Sequence, residues 1–362
     1  MSSFSLLRLD AKMQKAIILA EGYFKKPYGK TAHGLVRGSQ RFEITGVLDS
    51  TLVGKDAGEI LDGVHRNIPF FKSVEDALEQ VEASAIIIGI APIGGRISDN
   101  VRQTLISALS KGLDLISGLH TFFNDDPEFV EIAEKNNCKI IDVRQPKPRS
   151  ELHSWSGKIL DLKVPRVAVL GTDCGLGKRT TAKMLTDQLS SEGVNAQMIA
   201  SGQTGWLQGW PYCFILDTLP NDFVCGELEH ITLKCAEETN PDVIFFEGQS
   251  SFRNPAGPCG GEFLLSGGAK HVVLQTAPTR TSFEGYGIPQ PSLKSEIELI
   301  KLFGSEVIAI SLNSENATEE EMQDHKKQIQ KETGLPVFAP LIDGVKGLTS
   351  VVQSVLENTK SN

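Results

Sequence analysis

Residues 171–181 have the types and spacing of a loop that binds phosphate. Three glycines precede a lysine, and residues with good helical spacing follow it. Glycines let backbone N–H groups crowd around an anion, the helix N-terminus adds its dipole, and the lysine supplies a positive charge. The aliphatic run 167–170 before the loop predicts a buried parallel strand. The predicted cofactor-binding residues are Gly171, Thr172, Asp173, Cys174, Gly175, Gly177, Lys178, Arg179, Thr180 and Thr181.

The loop departs from the common phosphate-loop pattern at two positions. That pattern has four residues between its outer glycines and a Ser or Thr directly after the lysine. Here five residues separate the outer glycines, and Arg179 follows the lysine. The hydroxyl group that would meet a magnesium ion is therefore displaced to Thr180 or Thr181. The pattern predicts phosphate binding, but it does not by itself predict ATP hydrolysis.

Two titratable residues at the ends of predicted strands are candidates for moving a proton. Glu247 directly follows the hydrophobic run 243–246, and beside a phosphate loop this position suits a general base or an acid that serves a metal. A helix cap or a salt bridge is the structural alternative for this carboxylate. His120 follows the predicted strand 113–116, where it is either an acid–base group or a structural histidine. We predict Glu247 and His120 as catalytic residues, with no bound metal.

Cationic and hydroxyl side chains after predicted strands are candidates for holding an anionic substrate. Residues 22–34 predict a loop that presents Lys30, Thr31 and His33 at the carboxyl end of a parallel sheet, where α/β folds bind ligands. A second phosphate cradle at the G-K-T triplet 29–31 is the alternative, although the bulky residues before it suit tight wrapping poorly. Arg253 and Arg280 lie in loops after later strands. Each guanidinium group suits bidentate binding of a carboxylate or phosphate, and a plain surface arginine is the alternative.

Two further loops have glycines beside polar side chains. Residues 201–206 have glycine on both sides of a glutamine and a threonine, which suits close approach of the backbone to a ligand. Residues 91–96 form a glycine loop with one arginine, Arg96, which is another source of positive charge.

The composition is that of a globular protein without a polyanionic partner. The chain has 362 residues, 40% hydrophobic and 22% charged, enough for two domains with their own cores. Its net charge of −9 argues against binding to nucleic acid or to an anionic membrane. Six scattered cysteines without C-x-x-C spacing predict reduced thiols and no zinc site. The apolar run 16–20 is too short to span a bilayer, so we expect a cytoplasmic protein.

The alternation of strands and helices predicts an α/β fold with two parallel sheets. We expect an N-terminal Rossmann-like domain at residues 1–149 and a C-terminal P-loop NTPase-like domain at residues 150–362, joined at Pro146 and Pro148. The G-x-G-x-x-G pattern is absent after the first strand, so a dinucleotide site is not predicted. Predicted strands cover residues 15–19, 42–48, 68–71, 85–90, 113–116 and 139–143, then 167–170, 196–200, 243–246, 272–275, 307–312 and 337–340.

Four motifs of the second domain occur in an order that a known group of P-loop proteins shares. They are G-T-D-C-G-L-G-K-R-T-T, S-G-Q-T-G, F-F-E-G-Q and Q-T-A-P-T-R. This order resembles the dethiobiotin synthetase branch, which has G-T-D-T-x-x-G-K-T and V-E-G-x-G. The likeness implies an ATP- and Mg²⁺-dependent ligase, carboxylase or kinase, in which Thr180 and Glu247 would serve the metal. It covers only the second domain, and Arg179 interrupts it at the hydroxyl position.

A second likeness covers both domains. The chain contains A-E-G followed by G-K-T-A-H-G-L, then G-L-H-T-F-F-N-D-D-P-E-F, then the phosphate-loop motif. These motifs resemble the two-domain P-loop family, long catalogued as a domain of unknown function, that includes a D-glutamate N-acetyltransferase. The resemblance implies acetyl transfer from acetyl-CoA to the amino group of D-glutamate, on a fold unlike that of the usual acetyltransferases.

The residues allow that chemistry, and two other classes of function stay open. CoA carries a pyrophosphate and a 3′-phosphate, so a phosphate loop can hold it without hydrolysis, and Arg179 suits a loop that binds anions by charge. The alternatives are the ATP-dependent enzyme and a nucleotide-binding regulator without chemistry of its own. We favour an acetyltransferase that acts on a small amino acid, and we expect a homo-oligomer.

Overall fold

The computed structural model describes residues 13–91 and 97–360 of the chain. They form two compact units. The first unit contains residues 13–91, 97–147 and 202–211, and the second contains residues 148–201 and 212–360. The loop predicted to present Arg96 lies outside the described residues.

The first unit is built around a fully parallel sheet of six strands. The strands are β1 (Gln14–Leu19), β2 (Phe42–Leu48), β3 (Phe70–Phe71), β4 (Ala85–Ile88), β5 (Asp114–Ser117) and β6 (Ile140–Asp142). The helices between them are α1 (Lys30–Arg37), α2 (Ala57–Asp62), α3 (Val74–Leu78), α4 (Asp99–Ser110) and α5 (Pro127–Lys135). The order across the sheet is β3-β2-β1-β4-β5-β6, so the direction of winding reverses between β1 and β4.

Local signals in the sequence explain these elements. The central strands are continuous aliphatic runs, and residues such as Ile17 and Ile86 are buried, as expected for strands that helices cover on both faces. The Ser98 hydroxyl caps α4 by accepting from the Val101 N–H. Asp126 caps α5 in the same way, directly before a proline at the first helical position.

A short segment, residues 202–211, packs in the first unit although both of its flanks belong to the second. It contains α7 (Gln203–Gln208), whose Leu207 is part of the hydrophobic core of the first sheet. The Gln208 side-chain amide donates to the Gly34 carbonyl over 2.8 Å. The sequence predicts a ligand loop here within the P-loop domain, whereas these residues form a helix that packs in the first unit.

The second unit is also built around a parallel sheet of six strands. The strands are β7 (Arg166–Gly171), β8 (Ala196–Ile199), β9 (Val243–Glu247), β10 (His271–Thr276), β11 (Glu306–Leu312) and β12 (Val337–Phe338). The helices are α6 (Lys178–Ser191), α8 (Asn221–Thr239), α9 (Gly261–Leu265), α10 (Leu293–Leu302), α11 (Glu319–Thr333), α12 (Pro340–Asp343) and α13 (Lys346–Lys360). The order is β12-β11-β10-β7-β9-β8, which places β7 between β9 and β10.

The two parallel sheets with their helices confirm the predicted α/β class. Each of the predicted strands forms, with ends shifted by a few residues. Within residues 13–91 and 97–360, no helix has the length and apolar character needed to cross a membrane.

Candidate functional site

The glycine-rich loop joins the end of β7 to the start of α6. Gly175 and Gly177 have φ values of +69° and +93°, a left-handed conformation that glycine adopts without strain. In the described part of the chain, no side chain caps α6, and its first turn contains no acidic residue. The N–H groups of that turn and the helix dipole therefore present positive charge to an anion.

Lys178 is the first residue of α6 and is only 6% exposed. Its ammonium group donates to the backbone carbonyls of Asp173, at 2.7 Å, and Ser250, at 2.8 Å. Burial lowers the pKa of Lys178, and the side chains of Cys174 and Asp173 oppose this shift. Two carbonyl groups, one in the loop and one after β9, thus fix the position of the lysine charge.

Asp173 is fully buried within the loop and accepts five hydrogen bonds. The donors are the backbone N–H groups of Cys174 and Glu284 and the side chains of Asn254, Arg280 and Gln290. They come from the loop itself and from the segments that follow β9 and β10. A buried carboxylate needs such partners to offset its lost hydration. The side chain of Asp173 therefore supports the loop from within, in addition to its predicted part in cofactor binding.

The two arginines predicted to hold a substrate are both paired with carboxylates. Arg280 donates to both carboxylate oxygens of Glu315 at 2.6 Å and to Asp173 at 3.0 Å. Arg253 donates from Nε to the buried Glu296 at 2.7 Å. These pairs stabilise the loops in which the arginines lie. Binding of a substrate anion by either arginine stays a prediction.

The hydroxyl groups around the loop differ in their surroundings. The Thr181 hydroxyl donates to the side chain of Gln275 on β10 over 2.8 Å. The Thr172 hydroxyl lies 3.0 Å from that of Thr276, also on β10. Thr180 is half-buried in the first turn of α6. Of the two threonines considered for a magnesium ion, Thr181 thus uses its hydroxyl to hold the helix against the sheet.

Glu247 is the last residue of β9 and pairs in register with Val169 on the loop strand. It is 5% exposed, and its Oε2 accepts from the Ser201 N–H at 3.1 Å. Burial raises the pKa of Glu247, and the positive charges of Arg179 and Lys178 oppose that shift. A buried carboxylate with a raised pKa beside two cations is suited to exchange a proton.

Gly248 lets the end of β9 pass close to β7, and alanine at this position should destabilise the second unit. A Cβ atom there would lie 2.5 Å from the Val169 carbonyl oxygen and 3.2 Å from Leu170 Cα. Because both are backbone atoms, we expect Gly248→Ala to lower the free energy of unfolding by about 1–3 kcal/mol. Thermal unfolding measures this loss. The control is Gly257→Ala, whose Cβ would meet open space, and equal melting temperatures for the two variants would contradict the packing.

In the first unit, the segment predicted as a ligand loop turns into a helix at Lys30, so the prediction of a loop through residue 34 is wrong. The apolar Leu35 and Val36 give α1 a buried face. Lys30 is exposed at the start of α1. Thr31 is buried, and its hydroxyl accepts from the Gln203 side-chain amide at 3.1 Å. Lys30 is therefore accessible to a ligand, whereas Thr31 holds α1 against α7.

The two histidines near predicted strand ends lie in different environments. His120 is exposed and follows β5. The Nε2 atom of His33 lies 2.5 Å from the Phe24 carbonyl oxygen, and burial lowers the pKa of this imidazole. His120 remains the candidate acid–base group of the first unit, and Glu247 that of the second.

Asn254, Gln290 and Glu315 help to hold the phosphate loop in place, but the sequence did not predict this role for them. Asn254 and Gln290 donate to Asp173, and Glu315 pairs with Arg280. Each follows a strand by several residues in an irregular segment. In the sequence, their position after strands of the P-loop sheet is the one feature that could have pointed to them. That position does not indicate which carboxylate or arginine each side chain contacts.

Both units match known protein families. A family described as a domain of unknown function, DUF1611_C P-loop domain, matches residues 153–349, and the DUF1611_N Rossmann-like domain matches residues 50–146. The chain belongs to the DUF1611 family. This membership confirms the predicted two-domain P-loop family and the Rossmann-like and P-loop character of the two sheets.

Several relatives of this DUF1611 protein share a similar level of identity with it. A protein named D-glutamate N-acetyltransferase from Tritonibacter scottomollicae is 29% identical over 309 residues, 82% of this chain and 89% of that protein. A protein of the same name from a Pseudoalteromonas species is 29% identical over 276 residues, 74% of this chain and 81% of that protein. A crystal structure of a DUF1611 family protein from Anabaena variabilis ATCC 29413 is 29% identical, with a TM-score of 0.86, and covers 94% of this chain and 99% of that one.

Proposed function

We propose that this DUF1611 protein is an N-acetyltransferase that moves an acetyl group from acetyl-CoA to the amino group of D-glutamate. The names of the two relatives support the reaction and its acceptor, at 29% identity over most of the chain. Within the site, the observation that supports the proposal most is the start of α6, which is glycine-rich, uncapped and contains the buried Lys178. A phosphate of the cofactor would bind there.

The loop is suited to hold a phosphate of CoA by charge alone. Arg179 stands where a magnesium-binding hydroxyl is common, and the hydroxyl of Thr181 is bonded to β10. Lys178, the N–H groups of the first turn and the helix dipole supply the attraction for an anion. CoA has three phosphates, and none of them needs to be cleaved for acetyl transfer.

Glu247 is our proposed general base. The amine nitrogen of D-glutamate forms a bond to the thioester carbonyl carbon, the C–S bond breaks, and the sulfur leaves as the CoA thiolate. The nitrogen must lose a proton, which Glu247 accepts and the thiolate finally receives. His120 is the other candidate for this role. Lys30, Thr31, Arg253 and Arg280 remain the proposed substrate-binding residues. Of the three cations, Lys30 and Arg253 are exposed.

The alternative, an ATP-dependent enzyme, requires a metal ion, whereas the proposed acetyltransferase does not. The purified protein should release free thiol from acetyl-CoA when D-glutamate is added, at the same rate with EDTA and with Mg²⁺. A parallel reaction with ATP and Mg²⁺ should release no ADP. Magnesium-dependent ADP release without thiol release would overturn the proposal in favour of a ligase, carboxylase or kinase. Binding of nucleotide with no turnover in either reaction would favour the regulator.

A further inference from the structure

The segment after β10 folds into a small hairpin, residues 281–290. Ser282 and Pro289 form an antiparallel bridge, and the Phe283 N–H donates to the Ile288 carbonyl over 2.8 Å. Gly285, with φ of +80°, lies in the turn between them. The backbone thus closes on itself in a defined shape.

The hairpin is hydrogen-bonded to the phosphate loop through its turn and through its last residue. The Glu284 N–H and the Gln290 side-chain amide donate to the same carboxylate oxygen of Asp173, at 2.8 and 3.0 Å. A Cβ atom at Gly175 would lie 2.8 Å from a Glu284 carboxylate oxygen, so the Glu284 side chain lies beside the loop. The hairpin is therefore a neighbour of the loop that a ligand bound there by its phosphate could contact.

The hairpin exposes two large apolar side chains at this place. Tyr286 is 56% exposed and Ile288 is 45% exposed, whereas Phe283 is buried and anchors the turn. Tyr286 follows Glu284 by two residues, and two residues span at most about 7 Å. The backbone of Tyr286 therefore lies within about 7 Å of that of Glu284, whose N–H is bonded to the loop, and Ile288 lies in the same hairpin.

We propose that the 281–290 hairpin binds the adenine ring of the nucleotide whose phosphate lies on the loop. This inference rests on the proposed function only in naming CoA as that nucleotide. A tyrosine face favours a flat aromatic ring, and stacking of a base on an aromatic side chain gains affinity without a specific hydrogen-bond pattern. The hydrogen bonds to Asp173 hold the hairpin against the loop.

Equilibrium binding to the full chain tests this assignment with three ligands. They are CoA and ATP, which contain adenine, and pyrophosphate, which has the charge without the ring. We expect Tyr286→Ala to weaken binding of the adenine ligand about tenfold and to leave the dissociation constant for pyrophosphate unchanged. Tyr286→Phe should keep the wild-type affinity. Leu302→Ala, which shortens an 85% exposed side chain at the end of α10, is the matched control.

Each outcome supports or contradicts the proposal that the hairpin binds adenine. Unchanged affinity for the adenine ligand in Tyr286→Ala, or an equal loss for pyrophosphate, would overturn it, as would wild-type protein that binds neither CoA nor ATP. If ATP binds with this tyrosine dependence and CoA does not bind, the hairpin assignment stands and the acetyltransferase proposal fails.

Discussion

Replacement of Lys178 by methionine should weaken the binding of CoA about 100-fold, which corresponds to about 2.7 kcal/mol. The ammonium group is the buried cation at the start of α6, and methionine keeps much of its length while it removes the charge. The Asp173 and Ser250 carbonyls would each lose a donor, so a modest loss of stability is also expected. Calorimetric titration with CoA in EDTA, beside a thermal melt, measures both effects.

Lys183→Met is the matched control for this change. Lys183 lies on the same helix, but its side chain is partly exposed and pairs with Asp187 on the surface. The control should bind CoA like the wild type. If the folded Lys178 variant bound CoA as tightly as the control, the Lys178 charge would have no part in holding the cofactor.

Substitution of Glu247 by glutamine should lower kcat about 10²–10⁴-fold and leave the dissociation constant for CoA within a factor of a few. Glutamine keeps the shape and can still accept the Ser201 N–H, but it cannot take the proton of the amine. The change therefore separates catalysis from binding. A folded variant with unchanged kcat would remove Glu247 as the base and turn attention to His120.

The pH profile gives a second readout of the same residue. The ionised carboxylate is the base, so wild-type kcat should rise with pH through the pKa of Glu247 and level off above it. Because burial raises that pKa, the rise should lie above the usual range for a glutamate. In Glu247→Gln this limb of the profile should disappear.

Strong local patterns made much of the fold predictable. The aliphatic runs of β4 and β7 are buried strands, and Gly175 and Gly177 adopt the left-handed backbone that the pattern favours. The lysine and the strand-end Glu247 also lie where the spacing placed them, on neighbouring strands and their loops. In each of these cases a few adjacent residues determine the structure.

Features that depend on distant partners were not predictable. Residues 202–211 have a loop-like composition, and their helix is held by contacts with residues about 170 positions earlier. The sequence placed Asp173 in the phosphate loop, but its burial and its partners after β10 depend on how separate segments meet. For the same reason, the sequence did not indicate that Arg280 and Glu315 would form an ion pair.

Incubation with acetyl-CoA and racemic glutamate, followed by chiral chromatography of the products, tests the acetyltransferase proposal most directly. We predict N-acetyl-D-glutamate in an amount equal to the free thiol released, with L-glutamate unchanged and with no dependence on added metal. Protein that binds CoA and yet forms no N-acetyl-D-glutamate would contradict it.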